Sequence, residues 1–332
     1  MISEDSKAII LLCTRMVLDK NSEVQPFTLS EWNTLAKKIA FSNYQRPGSL
    51  FGETMEGLVE ELQISTDQAA RTVHLLGFAR RLGFEFERLE SAGIWIITRA
   101  DKDYPQKYKE RLKEKSPAVL FGVGEKTLLN QAGVAIVGSR NITENEQSFA
   151  EMIGNSAAYN GMVVFSAGAR GVDITAMKNA IEGRGCSVGL LADSLERAIR
   201  KPEYRRALLN GDMALISPYG TNTGFSVGAA MGRNKLIYGL ADYAVVVSSD
   251  HKKGGTWAGA IEAMKYKWLP VFVRQHEQMP LGNQALIQMG GIELPDPLPV
   301  AVKDLKKWMD EQKEVWQESS ILSTNFKQGS LF

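Results

Sequence analysis

The stretches VAIVGSR (residues 134–140) and MVVFSAGARGVD (residues 162–173) follow one pattern, in which an apolar run is followed by glycine and arginine. Further short apolar runs, rich in β-branched residues, lie at residues 94–97, 188–191, 214–216, 244–247 and 271–273. Helix-length segments separate most of these runs. Nearly continuous apolar strands that alternate with helices indicate a parallel sheet buried on both faces. The sequence therefore predicts a doubly wound α/β domain.

The residues before this domain have a different periodicity. Apolar side chains recur at three- and four-residue spacing over residues 8–18, 29–40, 55–62 and 69–82, which predicts helices. Another amphipathic stretch begins near Val300. We therefore expect four parts, which are a helical N-terminal domain at 1–93, the α/β domain at 94–299, a C-terminal helix at 300–319 and a flexible polar tail at 320–332.

The composition excludes several classes of protein. The chain has 332 residues with 39 Lys and Arg against 38 Asp and Glu, so a nucleic-acid site must be a local basic pocket rather than a wholly basic surface. Cys13 and Cys186 lie far apart in sequence, which supports neither a disulfide framework nor a cysteine metal site. The apolar run at residues 8–13 is too short to span a membrane. We expect a cytoplasmic protein with no membrane contact.

The segments that follow the predicted strands carry the candidate site, because doubly wound sheets bind ligands beyond the carboxyl ends of their strands. Gly138, Ser139 and Arg140 follow the run at 134–137, and Thr143 with Glu146 forms a capping box that opens a helix. Glycine lets the backbone approach an anion, the helix start offers free N–H groups, and a guanidinium suits phosphate. The alternative is an ordinary tight strand-to-helix turn.

Three further segments repeat this chemistry. After the run at 162–165 come the residues Ser166, Gly168, Arg170, Gly171 and Asp173, of which the aspartate either binds a ribose or caps the loop. A later helix carries Arg233, Asn234 and Lys235, which form either an anion clamp or a solvated basic face. The last segment, which opens another helix, contains Lys253, Gly254, Gly255 and Thr256.

These elements, in this order, resemble the DprA (Smf) family of DNA-processing proteins. The likeness also includes DYP at residues 103–105, SPAVLF at 116–121 and GNQALI at 282–287. The resemblance implies an extended Rossmann-like domain, related to the nucleotide-binding LOG proteins, that binds single-stranded DNA as a homodimer without catalysis or cofactor. It also implies delivery of that DNA to a RecA-type recombinase during natural transformation. The matching motifs place the DNA-phosphate pocket at Gly138, Ser139, Arg140, Ser166, Gly168, Arg170, Gly171, Arg233, Asn234 and Lys235.

The sequence departs from the family pattern at several positions. Met177 stands where the family often has histidine, Ser249 and Pro218 replace glutamates, and GGTW at residues 254–257 replaces a Ser-Gly loop. The winged-helix domain that many members carry is not expected here. These differences are typical of a divergent member, so recombination or the handling of foreign DNA is as compatible with the sequence as transformation.

The final residues carry a separate motif. Gln328 is followed three and four residues later by Leu331 and Phe332, which resembles the short peptide that docks on the polymerase sliding clamp. Two apolar anchors and an amide on a tether suit a pocket on a partner protein. The alternative is a frayed terminus that happens to end in Leu-Phe.

Two other functions fit the glycine-rich segments. One is a LOG-like phosphoribohydrolase that cleaves the glycosidic bond of a nucleotide, and the other is a sensor of a nucleotide signal. In the LOG family a glutamate lies three residues after the loop threonine, whereas Glu262 lies six residues after Thr256. His74, His251 and His276 have no acidic or cysteine neighbour at ligand spacing. The sequence therefore favours binding over catalysis.

Overall fold

The structure is a computed structural model that describes residues 2–19 and 21–328, with side chains described up to residue 318. In chain order its elements are α1 (Glu4–Cys13), α2 (Leu29–Ala40), α3 (Met55–Leu62), α4 (Thr66–Leu76), α5 (Ala79–Ser91), β1 (Ile94–Thr98), α6 (Gln106–Arg111), β2 (Val119–Gly124), β3 (Gly133–Val137), α7 (Glu144–Tyr159), β4 (Val163–Ser166), α8 (Val172–Glu182), β5 (Ser187–Leu190), α9 (Leu195–Ile199), α10 (Pro202–Asn210), β6 (Met213–Ser217), α11 (Val227–Leu240), β7 (Tyr243–Val246), α12 (Gly254–Lys265), β8 (Val271–Gln275), α13 (Leu281–Gln288), β9 (Ile292–Pro295) and α14 (Leu305–Gln328).

The chain forms two compact units. The first comprises the residues up to Lys126 together with Ala192–Arg205 and Leu215–Phe225. The second comprises Thr127–Leu191, Arg206–Ala214 and the chain from Ser226 onward. Within the described residues, no helix combines the length and the hydropathy needed to cross a bilayer.

The helices of the first unit largely follow the apolar spacing of the sequence. A reciprocal capping box fixes the start of α2, since Thr28 Oγ1 accepts from the Glu31 amide while a Glu31 carboxylate oxygen accepts from the Thr28 amide at 2.7 Å. Trp32, Leu35 and Ile39 of α2 are buried. The single helix predicted over residues 69–82 is wrong, because α4 ends at Leu76, where the C-cap residue Gly77 is a poor helix former, and α5 begins at Ala79.

The first unit also contains strands, which the predicted boundary at residue 93 assigned to the next domain. β1 pairs with β2 in antiparallel register, with Ile96 opposite Phe121. Ser6 of α1 hydrogen-bonds through its hydroxyl to Thr98 Oγ1 at 2.9 Å and to Asp101 Oδ1 at 2.7 Å. This buried polar cluster joins the end of β1 to the N-terminal helices.

The second unit is the predicted parallel α/β fold. Its strands lie in the order β5-β4-β3-β7-β8-β9, and every neighbouring pair is parallel. Every residue of β3, β4, β5 and β7 is buried, as expected for a sheet covered on both faces. The Rossmann-like α/β class is thereby confirmed. Because β4 lies on one side of β3 and β7 on the other, the chain order reverses at β3, and ligands bind at such a switch point.

Two strands of the structure, β2 and β9, were not predicted as strands. The residues of β2 were recognised only as part of a family motif, and β9 was missed. Of the four residues of β9 only Leu294 is buried, and the strand ends at Pro295. This strand is short, it is half-exposed and it lies last in the strand order. It therefore contains no apolar run from which a strand could be predicted.

The C-terminal helix packs on the second unit. Leu305 and Met309 of α14 are buried, and the Trp308 ring lies 5.6 Å from the Phe272 ring of β8. The amphipathic prediction is therefore confirmed, but the bounds differ, since α14 begins at Leu305 and continues to Gln328. Residues 320–328, expected within a flexible tail, are helical. Leu331 and Phe332 of the clamp motif lie outside the described residues.

Candidate nucleic-acid interface

The loops after β3 and β4 are pressed together so closely that glycine is required in both. A Cβ on Gly138 would lie 2.5 Å from Val172 Cγ2. A Cβ on Gly171 would lie 2.3 Å from the Ser139 carbonyl oxygen, and the φ of Gly171 is +90°. The Val172 amide donates to the same carbonyl at 3.2 Å. The two glycine motifs therefore form one backbone surface at the carboxyl ends of β3 and β4.

The buried Asp173 side chain connects these two loops. It lies in the first turn of α8 and accepts hydrogen bonds from the backbone amides of Gly138 and Ala167. Burial raises the pKa of its carboxyl from about 3.8 to about 6, while the Arg233 charge, the two amide bonds and the Arg140 charge act in the opposite direction. The carboxylate thus joins one loop to the other, and Gly171, rather than Asp173, is the N-cap residue of α8.

Arg233 and Ser166 also lie in this buried layer. Arg233 is 5% exposed, and its Nη1 donates to the carbonyl oxygens of Leu190 and, at 2.8 Å, Ala167. Ser166 is fully buried and its hydroxyl donates to the Ile136 carbonyl at 2.6 Å. The sequence placed both side chains on the pocket surface, whereas the structure places them beneath it, bonded to strand and loop carbonyls.

The loop after β7 joins the same surface through α12. Thr256 Oγ1 donates to the Gly138 carbonyl at 3.0 Å. A Cβ on Gly255 would lie 2.3 Å from Asn234 Nδ2, so Asn234 of α11 fixes how closely α12 approaches. Lys235, the next residue of α11, is half-buried. Gly255, Thr256 and Asn234 thus position the start of α12 beside the β3 loop.

The start of α12 is an open helix N-terminus with positive charge around it. Its N-cap residue, Lys253, makes no capping hydrogen bond with its side chain, and the first turn contains no acidic residue. Gly254 has a φ of +76°, and nothing lies within 4 Å of the position of a Cβ there. The amide groups of this turn, together with the exposed Lys253, favour an anion.

Two exposed arginines belong to the paired glycine loops. Arg140 is exposed in the β3 loop, and Arg170 is exposed in the β4 loop, next to Gly171. Arg170 Nη2 donates to Asn141 Oδ1 at 2.6 Å, which ties the second loop to the first. Gly168, with a φ of +60°, shapes the turn before Arg170. The structure therefore combines exposed guanidinium groups, two glycine loops and a helix N-terminus, a combination that favours binding of an anion such as phosphate.

The comparison with protein families agrees with this geometry. The family described as "DNA recombination-mediator protein A" matches residues 95–296. The chain belongs to this family. The match begins within β1 and ends just after β9, so it includes every loop of the candidate interface and leaves the N-terminal helices and α14 outside.

Individual family members are similar over part of their length. The chain is 27% identical over 164 residues to the DNA processing protein DprA of Bacillus subtilis, covering 49% of this chain and 54% of that protein. It is 25% identical over 221 residues to the Smf protein of Escherichia coli, covering 62% and 58% respectively. The chain thus spans about half the length of the curated relatives it matches.

Solved structures of the family share the fold. The DprA structure from Streptococcus pneumoniae superposes with a TM-score of 0.56 at 20% identity, covering 81% of this chain and 95% of that one. The structure of the Helicobacter pylori protein, whose single-stranded DNA binding mode was determined, has a TM-score of 0.53 at 23% identity and covers 66% and 97%.

Two residues that hold strand ends at the candidate interface were not predicted as site residues. The Ser139 amide donates to Ser248 Oγ at 3.3 Å, which links the β3 loop to the end of β7. Asn283 Nδ2 donates to the carbonyls of Val247 at 3.1 Å and Arg274 at 3.0 Å, at the ends of β7 and β8. Asn283 was visible as part of a family motif, but Ser248 is an ordinary serine after an apolar run and gave no signal.

Proposed function

We propose that this protein binds single-stranded DNA by its phosphate backbone, without catalysis, and acts in DNA processing and recombination. The observation that carries the proposal is the open N-terminus of α12, bonded through Thr256 to a β3 loop that presents Arg140. Backbone amides and guanidinium groups bind phosphate whatever the base, so the binding is largely independent of sequence. The family and its single-stranded-DNA-binding member from Helicobacter pylori support this ligand.

Titration of labelled oligonucleotides by fluorescence anisotropy tests this proposal. We expect the protein to bind single-stranded DNA with an affinity that falls steeply from the lower to the higher of two salt concentrations. We expect Arg140→Ala to weaken binding of every oligonucleotide sequence. Lys178→Ala, which removes an exposed cation from α8, is the matched control and leaves binding unchanged. Absence of binding at low salt contradicts the proposal. Displacement of the DNA by free nucleotide would instead favour a nucleotide sensor. Release of the base from the free nucleotide would favour a LOG-like hydrolase.

The family resemblance extends the proposal to partners. We propose a homodimer that passes the strand to a RecA-type recombinase in the cytoplasm, during either transformation or the handling of foreign DNA. We also propose that Gln328, Leu331 and Phe332 dock on a sliding clamp. Light scattering measures the mass in solution and so tests the dimer. The rate of recombinase filament formation on DNA coated with this protein tests loading. Capture of the clamp by the full chain, compared with capture by Leu331→Ala and Phe332→Ala, tests docking.

A further inference from the structure

The segment that contains α9 and the first turns of α10 has an exposed group of cations. Leu195 and Ala198 of α9 and Tyr204 of α10 are buried, so these side chains attach the segment to the rest of the protein. Four cations of the same segment are exposed and belong to the first compact unit, namely Arg197, Arg200, Lys201 and Arg205. We refer to these four side chains as the α9–α10 patch.

Most charges of the patch are not neutralised by an ion pair. In the part of the chain that the structure describes, Arg197, Arg200 and Arg205 form no ion pair. Lys201 Nζ lies 3.8 Å from Glu203 Oε1, and both of these side chains are more than half exposed. So exposed a pair contributes little to stability, and an incoming anion can displace it.

The other acids of this segment oppose the patch only weakly. Glu196 Oε1 accepts from Thr221 Oγ1 at 2.7 Å and from Arg88 Nη1 of α5 at 3.1 Å, so the Glu196 charge is already paired with a cation outside the patch. Asp193, which precedes α9, is half-buried. The patch therefore keeps a net positive charge, and its potential favours an anionic partner.

The patch is also held in a fixed position. Ser194 caps α9, since its Oγ accepts from the Arg197 amide at 3.2 Å and donates to the Thr221 carbonyl at 3.1 Å. The Glu196 amide donates to the same carbonyl at 3.1 Å. These bonds fix the backbone from which the guanidinium groups extend, so less conformational freedom is lost when a ligand binds.

The composition of the patch favours a phosphate backbone over a protein partner. A protein interface has an apolar centre. Leu209 is the one large apolar side chain exposed on α9 and α10, all of whose residues the structure describes. Three of the four cations are arginines, and a planar guanidinium bonds two phosphate oxygens at once. Positive charge without an apolar centre is typical of a surface that contacts phosphates.

We propose that the α9–α10 patch is a second surface for the phosphate backbone of single-stranded DNA. It is formed by other residues than the loops at 138–140 and 166–171 and the start of α12. The inference rests on the proposed function for the identity of the ligand, and it extends the phosphate contacts from the second compact unit to the first. A long strand is thereby bound by more phosphates than the glycine loops alone contact.

Anisotropy titrations of a long single strand over a salt series test this surface. The double variant Arg197→Gln/Arg200→Gln removes two charges, so we expect the slope of log affinity against log salt to decrease by about 1.4, or about 0.7 for each lost phosphate contact. Arg80→Gln/Arg184→Gln, which removes two exposed arginines of other segments, is the matched control and keeps the slope. Urea denaturation verifies that both double variants are as stable as the unmodified protein.

Chemical modification by phenylglyoxal, which reacts with accessible guanidinium groups, locates the contact directly. Saturating single-stranded DNA should protect Arg197 and Arg200 from modification and leave Arg80 and Arg184 reactive, as measured by mass spectrometry of peptides. Polyglutamate supplies negative charge without phosphate. Protection of the patch by polyglutamate and not by DNA overturns the proposal in favour of an acidic protein partner.

The outcomes separate this inference from the proposed function. If Arg197→Gln/Arg200→Gln keeps the salt slope while Arg140→Ala weakens binding, the second surface is overturned and the proposed function stands. Failure of the unmodified protein to bind single-stranded DNA at low salt overturns both.

Discussion

Arg233 and Arg140 are both arginines of glycine-containing segments, yet the structure gives them opposite environments. Arg233 belongs to a buried layer with Asp173 and Ser166, where its guanidinium bonds to backbone carbonyls. Arg140 belongs to an exposed rim with Arg170 and Lys253. The buried layer shapes the loops, whereas the rim contains the charges that we propose contact the ligand. Residue type therefore does not reveal which arginine is accessible to a phosphate; burial does.

The two layers respond differently to substitution because their charges are solvated differently. A buried charge that loses its partners remains desolvated and costs several kcal/mol, whereas exposed charges are screened by water and salt. Changes in the buried layer should therefore reduce stability, and changes in the rim should reduce affinity alone.

The largest effect is expected at Arg233. Replacement by methionine leaves the Ala167 and Leu190 carbonyls without the Arg233 donor and removes the larger of the two positive charges that act on Asp173, so we expect the free energy of unfolding to fall by about 3–5 kcal/mol. Urea denaturation measures this loss. Arg206→Met, at an exposed arginine, is the control and changes stability little. Equal stability of the two variants would show that the buried layer has no such role.

The next effect is expected at Gly171. Alanine there combines a φ of +90° with a Cβ only 2.3 Å from the Ser139 carbonyl oxygen, so we expect a loss of about 3 kcal/mol. Gly211→Ala is the control, since Gly211 has a φ of +81° and open space around it, and about 1 kcal/mol is expected there. If Gly171→Ala and Gly211→Ala lower the free energy of unfolding equally in denaturant, the contact with the Ser139 carbonyl adds nothing to the cost of backbone strain.

Asp173 should make stability depend on pH. Its pKa is raised to about 6 in the folded protein, so the folded state binds a proton more tightly than the unfolded state, and this contribution to stability is lost as pH rises from about 4 to about 6. The loss is on the order of 3 kcal/mol. Asp173→Asn should lack it, whereas Glu182→Gln, at an exposed carboxylate of the same helix, should retain it. Parallel pH profiles for the unmodified protein and Asp173→Asn would refute the assignment.

The smallest effects are expected at the rim. Arg170→Ala and Lys253→Ala each remove one exposed cation, so the slope of log affinity against log salt should decrease by about 0.7 for each lost phosphate contact. Stability should change by less than about 0.5 kcal/mol. Anisotropy titrations over a salt series measure the slope. If stability falls and the salt slope does not change, Arg170 and Lys253 stabilise the loops, as the buried layer does, and do not contact phosphate.

Much of the fold was predictable because apolar periodicity reports burial directly. The strands of the second unit other than β9 were predicted, as was the capping box of Thr143 and Glu146, in which the Glu146 carboxylate accepts from the Thr143 amide at 2.8 Å. The glycines of both loops were also singled out. The break at Gly77 and the strand β9 were not, because a short element with few buried residues leaves little pattern.

The candidate site was predictable in its composition and less so in its arrangement. The sequence grouped Arg233 with Arg140 because both match family motifs of the DNA-phosphate pocket, and it treated Asp173 as a cap or ribose ligand. The partners that decide their roles are backbone groups of distant segments, such as the Leu190 carbonyl and the Gly138 amide. Such contacts leave no mark in the local sequence.

The sequence by itself determined the parallel α/β class, the family, and the loops in which glycine, arginine and lysine occur, because strand periodicity and local motifs depend on neighbouring residues. Only the tertiary structure decided that Asp173 and Arg233 lie beneath the loops and that Thr256 joins α12 to Gly138. These relations arise when strands far apart in the chain end at one edge of the sheet, and that convergence is a property of packing rather than of any local segment.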